Sequence, residues 1–230
     1  ARVMRNKITE DYIISVGEDA IMCIWKTNGD LIRKQKLYQD GCLWSLDCNK
    51  HNNIIVTGSS NSGVMIHRLI SDLNNTNDQI KELHFSDSAS TAKCVAISAR
   101  KNIISLTEQG ELMYFDKETS QWHLYSADNI KPCSMILSIC RQYIALTDLN
   151  GLLVIFAEVC KFEPKLIHCL TQKISNGRIS SFIWLSDRNI CVCDKNGVIT
   201  IWNSHGGHCE KSNEFYLPSC KERWLTIAAI

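Results

Sequence analysis

The sequence predicts an all-β fold built from repeated four-stranded units. Short apolar runs end at positions 25, 68, 115, 156 and 202, which are 43, 47, 41 and 46 residues apart. Most of these runs begin with a polar residue followed by glycine, a pair that favours a tight hairpin turn because glycine adopts positive φ without steric strain. A unit of forty-odd residues that recurs five times is typical of a β-propeller, in which each unit forms one blade.

The five runs align as the third strand, strand c, of successive blades. They are Gly17–Trp25, Ser62–Arg68, Gln109–Phe115, Asn150–Phe156 and Asn196–Trp202. Trp25, Phe115, Phe156 and Trp202 are therefore expected at one equivalent position in each blade. Arg68 breaks this pattern and predicts a looser blade or a more exposed strand end. Ala20 stands where the other units have glycine, which leaves the turn type of the first unit open.

Each blade is expected to contain four strands, a to d, from the centre outward. The predicted blades cover approximately residues 1–39, 40–88, 89–128, 129–173 and 174–218, and residues 219–230 begin a sixth. The fifth blade is predicted to end in a weak strand near Glu214–Leu217, and Glu222–Ala228 reads as the first strand of the next blade. Ser71–Asp78 is predicted to be an exposed loop. Five blades and one strand favour a fragment of a longer, multi-propeller chain, and the alternative is an unusual small ring closed by the last strand.

Composition limits the classes of function. The 230 residues include 25 Lys and Arg against 24 Asp and Glu, a formal net charge of +1. Non-specific attraction to phosphate therefore cannot be the main activity, and any nucleic acid must meet a local patch or a partner. The 12 cysteines lie mostly in apolar strand runs without Cys-x-x-Cys spacing, which predicts reduced thiols and a cytoplasmic protein. No run of 18 apolar residues exists, so no membrane span is predicted.

Catalytic motifs are absent from the sequence. It contains no Gly-x-Gly fingerprint, no P-loop, no Gly-x-Ser-x-Gly and no His-Glu-x-x-His, so we expect no enzyme and no cofactor. The segment His205–Cys209 could supply three metal ligands, but a flexible loop is the favoured interpretation. Four aspartates are expected to serve the backbone at strand ends or turns rather than to act as acid and base: Asp47, Asp148, Asp187 and Asp194.

Candidate contact residues lie on two kinds of strand. Arg2, Arg5 and Lys7 occupy the first strand a, and their aliphatic stems are expected to fill the core or a crevice. Trp44 and Trp224 occupy similar places in later a strands, where a buried core position is favoured over a surface platform for a base or a peptide. The last group, Arg33, Lys34 and Lys36, lies on an outer strand, where charge protects an edge from pairing, although phosphate contact is the alternative.

Throughout its length the chain resembles the WD-repeat family. It departs from the usual pattern because Lys26 follows Trp25 and Asn203 follows Trp202, where the family has Asp, and because the Gly-His pair is missing at the unit starts. The hydrogen-bonded tetrad that fastens typical WD blades is therefore not expected to be complete.

One subfamily is more closely similar: the large WD-repeat subunit that partners a tRNA ribose 2′-O-methyltransferase acting at the wobble position of the anticodon loop. The segments that carry this resemblance are Ala1–Val3, Ser15–Asp19, Cys23–Trp25, Gly41–Leu46, Val56–Gly58, Gly63–Val64 and Arg223–Thr226. The resemblance implies a non-catalytic scaffold or regulatory subunit without a cofactor. Its implied partners are the catalytic methyltransferase subunit and, through the complex, tRNA, with no membrane and no DNA.

Candidate partner or RNA contacts under this hypothesis are Arg2, Arg5, Lys7, Trp44 and Trp224. Two other classes remain open. A generic WD-repeat adaptor in ubiquitin ligation or trafficking would bind a peptide and no tRNA, and an enzyme with an unrecognised site would show turnover by the isolated chain.

Overall fold

A computed structural model of the chain describes residues 2–49, 53–60, 63–68, 81–83, 91–126, 130–159, 165–205 and 207–216. These residues form twenty β-strands and contain no helix. The strands make five four-stranded antiparallel sheets, and within each sheet they follow one another in chain order. The prediction of an all-β fold made of repeated four-stranded units is confirmed. The sheets are numbered as blades 1 to 5 in chain order.

The strand bounds follow the repeat. Blades 1 to 3 contain β1 (Val3–Ile8), β2 (Tyr12–Gly17), β3 (Ile21–Lys26), β4 (Leu31–Lys36), β5 (Leu43–Asn49), β6 (Ile54–Ser59), β7 (Val64–Arg68), β8 (Lys81–Leu83), β9 (Ala92–Ile97), β10 (Ile103–Thr107), β11 (Leu112–Asp116) and β12 (Gln121–Tyr125). Blades 4 and 5 contain β13 (Ser134–Leu137), β14 (Tyr143–Thr147), β15 (Leu152–Glu158), β16 (Leu166–Lys173), β17 (Ile179–Trp184), β18 (Asn189–Asp194), β19 (Val198–His205) and β20 (His208–Tyr216).

The chain divides into two compact units, Ala1–Tyr125 with blades 1 to 3 and Ser126–Ile230 with blades 4 and 5. In the first unit, Ile14 and Ile24 of blade 1 join one apolar cluster with Leu43 and Ile55 of blade 2. In the second, a cluster of the same kind joins blades 4 and 5 through Ile155, Phe182 and other residues. Apolar side chains on facing sheets therefore form the core, because each blade buries a face against its neighbour.

The end of blade 5 differs from the prediction. His205, His208 and Cys209 belong to paired strands rather than to a flexible loop, since β19 ends at His205 and pairs with β20 from His208 onward. Gly207 has φ = 88°, a value that suits glycine and permits the tight reversal. The last strand consequently begins at His208 instead of near Glu214. Leu217, the predicted strand Glu222–Ala228 and the predicted loop Ser71–Asp78 lie outside the described residues.

One equivalent aromatic position recurs in strand c. Trp25, Phe115, Phe156 and Trp202 each lie opposite an isoleucine of the neighbouring strand b. In blade 2 the residue at this position is His67, opposite Ile55, so the assignment of Arg68 to it was wrong. The cause is the turn before strand c. The amide of Ser59 donates to Gly63 O, just as the amide of Asp148 in blade 4 donates to Leu152 O. Gly63 therefore corresponds to Leu152, the residue that follows the turn glycine in blade 4.

Aspartates fix several turns by accepting backbone amides, as the sequence predicted. Asp148 Oδ1 accepts from the amides of Asn150 and Leu152, both at 2.8 Å. Asp194 Oδ1 accepts from the corresponding amides of blade 5 at 2.8 and 3.1 Å. Asp187 Oδ1 accepts from the amide of Cys140 at 2.8 Å and so links two turns of the second unit. Ala20 adopts φ = 60°, so the first unit makes its turn with a left-handed alanine.

Candidate functional site

The innermost strand of several blades contains a β-bulge at the same place near its start. In β5, Leu43 pairs with Ser59 and Ser45 with Gly58, so Trp44 is the extra residue. The register of β1, β9 and β17 shifts in the same way. The residues at the equivalent place are Met4, Lys93 and Ser180. Because a bulge redirects the side chain of the extra residue, the bulge residues within the first unit are candidates for surface contacts.

Trp44 is a surface residue, with 39% of its area exposed. The favoured expectation of a buried core tryptophan was therefore wrong for Trp44. Its neighbours Leu43 and Ser45 are both buried, which shows that the bulge and not a loosely packed strand turns the indole outward. Trp224, the second candidate tryptophan, lies outside the described residues.

The three basic candidates in and just before β1 do not fill a core. Arg2 and Arg5 are exposed, and Lys7 is partly exposed while its Nζ lies 3.3 Å from Asp47 Oδ1. The expectation that the aliphatic stems fill the core or a crevice was wrong for Arg2 and Arg5, which are accessible to solvent at the edge strand of their sheet, whereas Lys7 is half-buried against the neighbouring blade. Arg2 is fixed at its backbone, since its amide donates to Glu18 Oε1 at 3.2 Å.

Lys93 is a further candidate that sequence reasoning missed. It is exposed and occupies in β9 the bulge position that Trp44 occupies in β5. Among the described residues, the side chains of Arg2, Arg5 and Lys93 form no salt bridge. The signal that identifies Lys93 is its register against strand b, which only the paired strands reveal.

Hydrogen bonds hold the starts of β5 and β9 side by side. Ser45 Oγ donates to Ala92 O at 3.1 Å, and both residues are direct neighbours of the bulge residues Trp44 and Lys93. Ser60 Oγ accepts from the amide of Cys42 at 3.0 Å, and Ser60 O accepts from Thr91 Oγ1 at 3.2 Å. Gly58 permits this close approach, because a Cβ there would lie 2.5 Å from Ala92 O. Trp44 and Lys93 thus lie at fixed, adjacent places.

The inner strands are also linked at their other ends. Asp47 Oδ1 contacts Lys7 Nζ of β1, and Asp47 Oδ2 accepts from the amide of Ile97 in β9 at 2.9 Å. Asp47 is buried inside β5, although the sequence placed it at a strand end or turn. The early residues of β5 and β9 meet and so do their late residues, so these two strands run in the same direction. Lys7 occupies in β1 the place that Asp47 occupies in β5, and the contact between them sets β1 beside β5 at the same level. Arg2, Arg5, Trp44 and Lys93 therefore share one end of the first unit.

The described residues contain no cluster of three or more His, Cys, Asp or Glu side chains suited to a metal ion. His208 instead contacts Glu210 Oε1 at 3.1 Å, and Cys209 is buried while its amide donates to Gln172 Oε1. Burial raises the pKa of the Cys209 thiol, which disfavours the thiolate that a metal would need.

The outer basic strand β4 pairs only with β3 in its sheet. Lys34 and Lys36 are exposed there, while Arg33 Nη1 donates to Arg68 O at 3.4 Å. This arrangement agrees with charge on an outer edge, the interpretation favoured from the sequence. In the described part of the chain, no helix has the length and apolar character to cross a membrane.

Comparisons with known proteins agree with the repeat. The chain matches no family model. It is 22% identical, over an alignment of 250 positions that covers 100% of the chain, to the mouse (Mus musculus) tRNA (34-2'-O)-methyltransferase regulator WDR6. It is 24% identical over 131 residues, 56% of the chain, to the rat (Rattus norvegicus) protein of the same name. The chain spans only 21% and 12% of the lengths of these two relatives.

Solved structures support the fold. The chain superposes on a protein from a crystal structure of the mitotic checkpoint complex with a TM-score of 0.76 at 14% identity, covering 97% of this chain and 67% of the other. A computationally designed protein, Ika8, matches with a TM-score of 0.69 at 15% identity, covering 93% of this chain and 62% of the other. The fold is that of a WD-repeat β-propeller, and the resemblance to WD-repeat tRNA methyltransferase regulators is confirmed at low identity.

Proposed function

We propose that this chain is part of a non-catalytic WD-repeat subunit that supports a partner methyltransferase in 2′-O-methylating the wobble ribose of tRNA. The observation that carries the proposal is the similarity, along the whole of this chain and 21% of the relative, to a protein named as a tRNA (34-2'-O)-methyltransferase regulator. The partners under this proposal are the catalytic methyltransferase subunit and tRNA. We place the complex in the cytoplasm. The ten cysteines of the described residues are all free thiols, which agrees with a reducing compartment.

The geometry suits a scaffold. Within the first unit, stacked sheets bury apolar faces against one another, and the inner-strand ends present aromatic and cationic side chains from fixed backbone positions. A scaffold that holds a substrate and an enzyme in register accelerates a reaction through proximity without supplying a catalytic group. Methyl-donor binding and the chemical step are assigned to the partner.

The first test is affinity purification of the full-length protein that carries this chain from its native cells, followed by mass spectrometry and RNA sequencing. Recovery of a ribose methyltransferase together with tRNA is the expected result. Recovery of ubiquitin-ligase or coat components without tRNA would overturn the proposal and leave a protein-interaction adaptor.

A second test is reconstitution of the methylation reaction. The partner methyltransferase is assayed on unmodified tRNA with and without the full-length WD-repeat protein, and the isolated WD-repeat protein is assayed alone. We expect the added protein to raise kcat/KM of the partner and to show no methylation by itself. Methylation by the isolated protein would show that it is an enzyme and contradict the scaffold role.

A further inference from the structure

We infer that Trp44 stacks a base of a single-stranded RNA segment while Arg5 and Lys93, on the two neighbouring inner strands, contact the phosphates on either side. The inference rests on the proposed function and names the RNA-contacting surface of the first unit. This surface, called the bulge row from here on, is formed by the bulge residues Trp44 and Lys93 together with the basic residues Arg2 and Arg5 at the same end of the first unit.

The first step is the exposure of the indole. Trp44 is 39% exposed although the strand around it is buried, because the bulge between Leu43 and Ser45 turns it away from the core. An exposed aromatic ring on a rigid strand loses little conformational entropy when a base stacks on it. Stacking on an aromatic side chain is the common device for binding unpaired bases, because every base offers a π face.

The second step is the position of the cations. Lys93 is held beside Trp44 by the Ser45–Ala92 hydrogen bond. Arg5 occupies in β1 the place that Ser45 occupies in β5, and Ser45 reaches toward the next inner strand. Unlike the buried Ser45, Arg5 is exposed, so its guanidinium is available to solvent at this end of the first unit. Packed sheets lie about 10 Å apart, so long cationic side chains on both neighbours can reach phosphates that flank one stacked base.

The third step is that acidic residues limit the number of phosphates this surface can bind. Glu18 and Glu108 are exposed at the same end, and their amides donate to Arg2 O and Thr91 O. These carboxylates border the bulge row and repel further phosphates. The row therefore suits a short unpaired segment with few phosphate contacts, such as an RNA loop, better than a duplex, whose bases are not available for stacking.

The test is a binding assay with the full-length protein, alone and with its partner. A fluorescently labelled anticodon stem–loop RNA and a fully paired duplex of the same length are titrated, and anisotropy gives Kd at several salt concentrations. Trp44→Ala is expected to weaken binding of the stem–loop roughly 5- to 100-fold, and Trp44→Phe much less. Lys93→Gln is expected to weaken binding and to lower the slope of log Kd against log salt by about 0.7.

The matched control is Lys34→Gln, which removes the same charge from the outer strand β4 and is expected to leave Kd unchanged. Thermal unfolding verifies that each variant is folded, and if Trp44→Ala does not fold, Lys93→Gln still decides the question through its Kd and its salt dependence. Unchanged RNA affinity in Trp44→Ala and Lys93→Gln would overturn the inference. A variant that no longer binds the partner protein but keeps its RNA affinity would also overturn the inference, because the row would then be a protein contact.

The two proposals fail in different ways. If the wild-type protein binds the stem–loop, alone or with its partner, and the variants bind it equally well, only the bulge row is refuted. If the wild-type protein binds no tRNA and recovers no methyltransferase, the proposed function fails as well.

Discussion

His67 stands where the other blades have Trp or Phe, and its environment is unusual for an imidazole. It is 2% exposed, its Nε2 lies 3.2 Å from Thr57 Oγ1, and its Nδ1 has no hydrogen-bond partner among the described residues. Burial, and then the nearby positive charge of Arg33, lower the pKa of His67 from 6.5 to about 4. The folded protein thus keeps this side chain neutral in mildly acidic solution.

This residue predicts an acid-sensitive stability. Between pH 6.5 and about 4 the unfolded chain binds a proton at His67 that the folded chain does not, so the free energy of unfolding falls as the pH falls through this window. The expected loss attributable to His67 is about 2 kcal/mol at pH 5 relative to pH 7.5. Urea unfolding of the wild-type protein and of His67→Gln at both pH values measures it. Parallel pH dependences in the two proteins would contradict the prediction.

The hairpins that join strand b to strand c are the elements in which local sequence and structure agree best. In blades 4 and 5 an aspartate, Asp148 or Asp194, ends or follows strand b, and its carboxylate accepts two amides of the turn that contains Gly151 or Gly197. Asp194 has a further role, because Ser175 Oγ donates to its Oδ2 at 3.1 Å and so ties the turn to the segment before β17. One buried carboxylate therefore sets the turn and joins two parts of blade 5.

Replacing this carboxylate tests the turn. Asp194→Ala leaves the amides of Asn196 and Val198 without this acceptor and is expected to lower the free energy of unfolding by about 2–4 kcal/mol. Asp194→Asn keeps one acceptor oxygen and is expected to cost less than about 1 kcal/mol. The exposed Asp187, which accepts one amide, provides the control, with an expected cost near 1 kcal/mol for Asp187→Ala. Equal losses for the two alanine variants, measured by chemical denaturation, would contradict this assignment.

At the scale of the whole molecule, links between blades decide how sheets that repeat in sequence are held together within a unit. In the first unit Asp47 connects three blades, since it lies in β5 and contacts Lys7 of β1 and the amide of Ile97 in β9. The two contacts differ in strength. The Lys7 side chain is 42% exposed, so its ion pair is weakened by solvent, whereas the amide contact is buried.

Asp47→Ala is expected to lower the free energy of unfolding by about 2–3 kcal/mol, because the buried amide of Ile97 loses a charged acceptor. Lys7→Met is expected to cost no more than about 1 kcal/mol, since it removes only the partly exposed ion pair. Guanidinium chloride unfolding of the two variants gives the comparison. A loss in Lys7→Met as large as that in Asp47→Ala would show that the ion pair, and not the amide contact, joins the blades.

The all-β class, the blade repeat and nearly every strand were predictable from the sequence, because apolar runs and Gly-containing turns are local patterns with a fixed period. The aromatic positions of Trp25, Phe115, Phe156 and Trp202 followed from the same period. The backbone roles of Asp148 and Asp194 also followed, since an aspartate near a glycine turn acts on amides only a few residues away.

Long-range pairing decided the rest. The exposure of Trp44 depends on a bulge that is defined only by its pairing with Gly58 and Ser59, and the equivalence of Lys93 depends on a second sheet. The place of His67 depends on a turn in which the glycine is displaced by one residue. A one-residue change in register moves a side chain to the opposite face of a sheet, so composition and spacing could identify the strands but not which residues reach the surface.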